Sequence, residues 1–225
     1  MTFADKVLNF YKGLELTCRL PSGVEVMNPY MDTACMKVCT EFYNKFYNDQ
    51  DKRHLILGIN PGRYGAGITG IPFTDPIKLE ERFGIKSTLA RKPELSAEFV
   101  HAMISAFGGY EKFFRKFFIN SVSPLGFVQS GKNLNYYDTP ALKNALMPFI
   151  RESMTALVDL GIHRNVVFCL GEGANFKFIQ DLNAKEKWFG EVVPLAHPRF
   201  IMQYRRKQTD VYIKDYVAKL RGVGL

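Results

Sequence analysis

Between residues 58 and 76 the chain reads Gly-Ile-Asn-Pro-Gly-Arg-Tyr-Gly-Ala-Gly-Ile-Thr-Gly-Ile-Pro-Phe-Thr-Asp-Pro. Asn60 is a polar side chain whose backbone is restrained by Pro61, and Phe73 is an aromatic held close to two prolines. A polar tip, glycines that expose backbone and a fixed aromatic ring make a workable pocket for a flat polar ring such as a nucleobase. Gly65, Gly67 and Gly70 satisfy G-x-G-x-x-G. A dinucleotide site would need a helix opening at the second glycine, and Pro72 and Pro76 are expected to hold this stretch out of helix. No Gly-Lys-Ser/Thr ends the run, so it is not a Walker loop.

A second candidate lies near the other end. His197-Pro198 is followed by Arg199, Phe200, Met202, Gln203, Tyr204, Arg205, Arg206 and Lys207. Cations interleaved with aromatics suit phosphate contact combined with insertion into a base stack. The plainer alternative is the solvated basic face of a helix.

Both candidates must be positioned by regular elements. Four short apolar runs, His54–Ile59, Phe117–Val122, Val166–Leu170 and Val192–Leu195, read as buried strands. Leu142, Ala145, Leu146, Phe149, Ile150, Met154, Leu157 and Val158 keep one helical face, with Thr139 as N-cap, Pro140 at the first position and a kink expected at Pro148. A closing helix carries Tyr212, Ile213, Tyr216, Val217 and Leu220 and stops near Gly222. Strands separated by long helical connections predict a single α/β domain over residues 1–225. Its core is a four-stranded, mostly parallel sheet with helices on both faces. Ligands of such folds sit beyond the carboxyl ends of the strands, where Asn60 and His197 fall.

Lys plus Arg outnumber Asp plus Glu by 30 to 22, a net charge of +8 that is compatible with a polyanionic partner. No run approaches the length of a membrane span and no secretory leader opens the chain, so a cytoplasmic protein with no membrane partner is expected. Cys18, Cys35, Cys39 and Cys169 read as reduced thiols, three of them on apolar faces, and lack metal-site spacing. Neither a metal nor an organic cofactor is expected. No G-x-S-x-G or convincing Cys–His pair offers an acyl-transfer site.

Asn60-Pro61-Gly62 at a strand end, then Thr69-Gly70 and Pro72-Phe73, resemble motif 1 of the uracil-DNA glycosylase superfamily, nearest its single-strand-selective monofunctional branch. Phe118 to Leu125 resembles the central strand and loop that read the base, Ser130 to Leu134 follows at nearly the family distance, and Leu195-Ala-His197-Pro198 resembles motif 2. The resemblance spans roughly residues 54 to 200 in order. It implies a monomeric, cofactor-free enzyme that flips a deaminated base out of DNA and hydrolyses its glycosidic bond, leaving an abasic site. By resemblance Asn60 positions the attacking water, and the motif 1 backbone near Gly62 and Tyr64 lines the base pocket. Phe73 stacks on the base, and His197 stabilises the departing charge.

Two departures stand out. Ser121 occupies the position where this branch has a base-reading Asn, and Asn120 falls one residue earlier, so both are candidate readers. The shorter Ser121 leaves room for xanthine or hypoxanthine beside uracil. After motif 2 the segment from Arg199 to Lys207 replaces the family's usual wedge. Arg199, Gln203, Tyr204, Arg205, Arg206 and Lys207 become candidate DNA contacts, with Gln203, Tyr204 or Arg205 filling the gap left by the flipped nucleotide. A non-catalytic nucleic-acid-binding module on the same fold is the alternative reading.

Overall fold

The computed structural model describes residues 1–223. In chain order the elements are α1 (Phe3–Lys12), β1 (Val24–Met27), α2 (Thr33–Phe46), β2 (Arg53–Gly58), α3 (Ala66–Thr69), α4 (Pro76–Phe83), α5 (Leu95–Phe107) and α6 (Tyr110–Lys116). There follow β3 (Phe117–Ser121), β4 (Gly126–Gln129), β5 (Lys132–Leu134), α7 (Pro140–Asp159), β6 (Ile162–Leu170), α8 (Ala174–Glu186), β7 (Glu191–Leu195), α9 (Pro198–Tyr204) and α10 (Thr209–Arg221).

The four apolar runs form one sheet of order β3-β2-β6-β7, parallel at every pairing. Every residue of β2 is buried, as a central strand covered on both faces requires. Alternation along β3 sends successive side chains to opposite faces. Phe118 meets Phe3 of α1, whereas Phe117 packs on Phe107 of α5 and Phe113 of α6. β6 begins four residues before the apolar run. Its polar start, His163-Arg164-Asn165, lies in an irregular stretch where the pairing with β2 shifts register between Arg53 and Leu55.

One expectation is corrected. The glycine-rich loop is not wholly irregular: Ala66–Thr69 forms one helical turn, and Pro76 opens α4 with Asp75 as its N-cap. Proline is well suited to a first helical position, where its missing N–H has no partner to lose. Helix α7 runs from Pro140 to Asp159 with Pro148 inside it, capped by the Thr139 hydroxyl as expected. A second sheet, β1-β4-β5, is antiparallel and had no clear sequence signal. Its β4–β5 hairpin turns at Ser130 and Gly131, both at positive φ, the backbone that tight hairpins favour.

Candidate active site

The carboxyl ends of β2, β3 and β7 converge on a cavity of about 570 Å³, within the usual range for small-molecule sites. Asn60, two residues beyond β2, is fixed at both ends of its amide. Its Nδ2 donates to the Leu134 carbonyl at 3.0 Å and to the Pro61 carbonyl at 3.3 Å, and its Oδ1 accepts the Tyr136 N–H at 3.0 Å. With the nitrogen facing two carbonyls the amide cannot flip, and Oδ1 keeps one free lone pair in the cavity wall.

The motif 1 loop is braced throughout. The buried Thr69 hydroxyl donates to the Thr74 carbonyl at 2.6 Å and accepts the Ile71 N–H at 3.1 Å. Gly67 donates its N–H to the Gly62 carbonyl at 2.9 Å, and a Cβ there would run into that carbonyl. Phe73 has φ of 52°, a left-handed conformation costly for an aromatic residue, kept only because its surroundings impose it. Its ring lies between the end of β2, near Gly58, and the imidazole of His197, 6.3 Å away edge-on.

His197 follows β7 and caps α9: its Nδ1 accepts the Arg199 N–H at 3.1 Å. That bond requires an unprotonated Nδ1, so the neutral ring carries its proton on Nε2. Burial, with the Arg199 charge adding to it, pushes the imidazole down to about 4, and the ring is neutral at pH 7. A neutral N–H donor is therefore presented to the cavity. Ala196 just before it is held by the hydroxyl of buried Tyr216 in α10.

The β-strand register separates the two candidate readers. Ser121 pairs with Gly58 and lines the cavity. Asn120 is a correction: it is 2% exposed on the opposite face, where Nδ2 donates to the Tyr11 hydroxyl at 3.0 Å and Oδ1 accepts the Ser121 N–H at 2.7 Å. Adjacent residues of a strand point to opposite faces, so both could not have entered the cavity. Gly62 lines it, whereas Tyr64, expected to contribute backbone there, is not among the lining residues, and its side chain is 44% exposed with the Arg63 guanidinium 5.3 Å from its ring.

Arg199, Gln203 and Tyr204 line the cavity with Phe200, on one face of α9 at i and i+4 spacing. Phe200 and Tyr204 form an exposed aromatic pair, ring centroids 5.8 Å apart. The exposed Arg205, Arg206 and Lys207 do not line the cavity. Arg205 lies over the Phe200 ring and Arg206 pairs with Glu98 at 3.0 Å.

Several cavity residues were not among the candidate site residues. Lys132 and Asn133 arrive on the β4–β5 hairpin, and Asn133 Oδ1 accepts the Arg63 N–H at 3.0 Å. Glu94, in the exposed-looking run Arg91-Lys-Pro-Glu-Leu95, lines the cavity because its backbone N–H donates to Asp75 at 2.9 Å. Among the described residues no cluster of three metal-ligating side chains occurs, and no helix is long and apolar enough to cross a membrane.

A parallel α/β sheet thus brings a rigid amide, a left-handed Phe and a neutral helix-capping imidazole around one cavity, with Arg63, Lys132 and Arg199 among its lining residues. Residues 44–221 match the Uracil DNA glycosylase superfamily, and the chain belongs to that superfamily. It is similar to the single-strand selective monofunctional uracil-DNA glycosylase of Rattus norvegicus, 29% identical over 138 residues, which cover 53% of this chain and 47% of the rat protein. The Mus musculus protein of that name is 28% identical over the same lengths. The chain spans about half the length of these curated relatives. The crystal structure of wild-type Pedobacter heparinus SMUG2 is 46% identical with a TM-score of 0.97, covering 99% of this chain and 98% of the other.

Proposed function

We propose that the chain is a monofunctional DNA glycosylase that hydrolyses the N-glycosidic bond of deoxyuridine, and of deoxyxanthosine or deoxyinosine, in DNA. The observation that carries this reading is that Asn60 and His197, far apart in sequence, line the same cavity as Phe73. The nucleotide is flipped because its sugar carbon is unreachable within a stack. Phe73 offers its face to the base, while Ser121 offers a short hydroxyl to the base edge and leaves space for a purine. The free lone pair of Asn60 Oδ1 accepts a hydrogen from water and directs the water oxygen at C1′. The C1′–N bond breaks, its electron pair leaves with the base, and the water oxygen bonds to C1′. The neutral His197 Nε2–H donates to a carbonyl of the departing anion, the kind of fixed dipole that is most effective where charge develops. The water's second proton goes to solvent, and the released base takes one up.

The test is release of base from labelled oligonucleotides carrying uracil, xanthine or hypoxanthine, single-stranded and duplex, followed by alkaline cleavage. Release of uracil is the expected result. Binding without release from any substrate would leave a nucleic-acid-binding module.

Arg199 and Lys132 line the cavity, and their charges suit contact with the phosphates of the bound strand. The double substitution Arg199→Ala, Lys132→Ala is expected to make the plot of log affinity against log salt shallower by about 1.4 for single-stranded DNA, roughly 0.7 per lost contact. Titration at several salt concentrations checks this, and an unchanged slope would remove both residues from the interface.

A further inference from the structure

Glu94 is an acidic side chain in the wall of a cavity that has to admit a polyanion and host a departing base anion. Its Oε2 is fully sheltered from solvent and has no hydrogen-bond partner in the protein. It lies against Gly65, where a Cβ would collide with that oxygen and where φ is already positive at 71°. The placement is built, not incidental. One carboxylate oxygen of Asp75 caps α4 through the Lys78 N–H at 2.8 Å and the other takes the Glu94 N–H at 2.9 Å, so the loop and the start of α5 are tied together.

We propose that Glu94 works as a neutral carboxylic acid in the wall of the base cavity, hydrogen-bonding the bound nucleotide through the carboxyl oxygen that is not sheltered against Gly65, and that its ionisation sets the alkaline limit of base excision. The proposal rests on the glycosylase reading above and deepens it. A half-buried carboxylate with one oxygen sheltered and no donor to it is disfavoured, whereas a carboxylic acid can donate from one oxygen and accept at the other. The charged and titratable groups that face it are Asp75 at the cap of α4, whose negative charge disfavours ionisation, and Arg199 of α9, which opposes that effect. Arg63, Lys132 and His197 line the same cavity. Burial is the dominant influence, followed by Asp75, and the carboxyl is pushed up to about 8. When the proton leaves to solvent, a second negative charge appears beside Asp75, in the space where phosphate must approach and the base must depart as an anion.

The experiment is single-turnover release of uracil from a single strand on both sides of pH 8, in the wild type, Glu94→Gln and Glu94→Leu. Glu94→Gln keeps a donor and an acceptor but cannot ionise. Its rate relative to the wild type is expected to climb about tenfold per pH unit above about 8, as a single ionisation demands. Glu94→Leu, which has the volume but no hydrogen bond, falls below Glu94→Gln at neutral pH. A Gln-to-wild-type ratio that stays constant with pH, or a Leu variant equal to the Gln variant, overturns the proposal. Infrared difference spectra of the whole protein read the carboxylic-acid carbonyl band independently of turnover. The band is expected at neutral pH in the wild type and not in Glu94→Gln, and its absence from an active wild-type enzyme overturns the proposal. A band that titrates in a protein releasing no base overturns the glycosylase reading and the excision half of the proposal with it.

Discussion

Replacing Asn60 by alanine is expected to lower the single-turnover rate of uracil release by about 10²–10⁴-fold, the range typical for loss of a positioned group that handles a proton. The fold should persist, because the amide bonds only backbone groups of Pro61, Leu134 and Tyr136 and no apolar core is removed. Asn60→Asp is expected to be nearly as damaging. Its second oxygen would replace Nδ2 opposite the carbonyls of Leu134 and Pro61, where acceptor would face acceptor. The geometry of this chain therefore selects the amide over the carboxylate. Circular dichroism and urea unfolding check the fold, and rates from a uracil-containing oligonucleotide check the chemistry. An alanine variant within a few-fold of the wild type would remove Asn60 from the reaction.

His197→Ala is expected to cost about 10²–10³-fold in the same assay, the usual consequence of losing one fixed donor aimed at developing negative charge. The acting form is the neutral ring, since burial holds the imidazole down to about 4. Excision should therefore not depend on His197 protonation between neutral pH and about 5, and should be lost below about 4 as Nδ1 gains a proton and can no longer accept the Arg199 N–H. The same shift bears on stability. From about 6.5 down to about 4 the unfolded chain binds the imidazole proton and the folded chain does not, so the stability present above 6.5 is lost as pH falls through 4. His54 and His101, also pushed down to about 4 by burial, act in the same direction. The urea midpoint of the wild type should fall across this window, and that of His197→Ala should fall less. A variant with the wild-type midpoint at every pH would contradict the neutral ring.

The predicted α/β architecture and all four parallel strands were legible because each strand is a short apolar run closed by a glycine or proline turn. Buried parallel strands leave that local mark whatever surrounds them. Asn60 and His197 were legible for the same reason, as polar residues just past strand ends and each next to a proline. Other features left no such mark. Val24–Met27 pairs with Gly126–Gln129 across nearly half the chain, and neither segment alternates clearly enough to announce a strand. The choice between Asn120 and Ser121 depended on strand register, which a single sequence leaves open by one residue and which reverses every side chain when it slips. Glu94 reads as one charge in an exposed polar loop, and only the Asp75 carboxylate, capping one helix and holding the start of the next, turns it into the cavity wall. The sequence by itself thus determined the parallel sheet, the strand ends and the two residues placed on them, since local polarity and turn chemistry encode these. Which further side chains meet at the cavity was decided by tertiary structure alone, because their meeting depends on register and on packing between elements far apart along the chain.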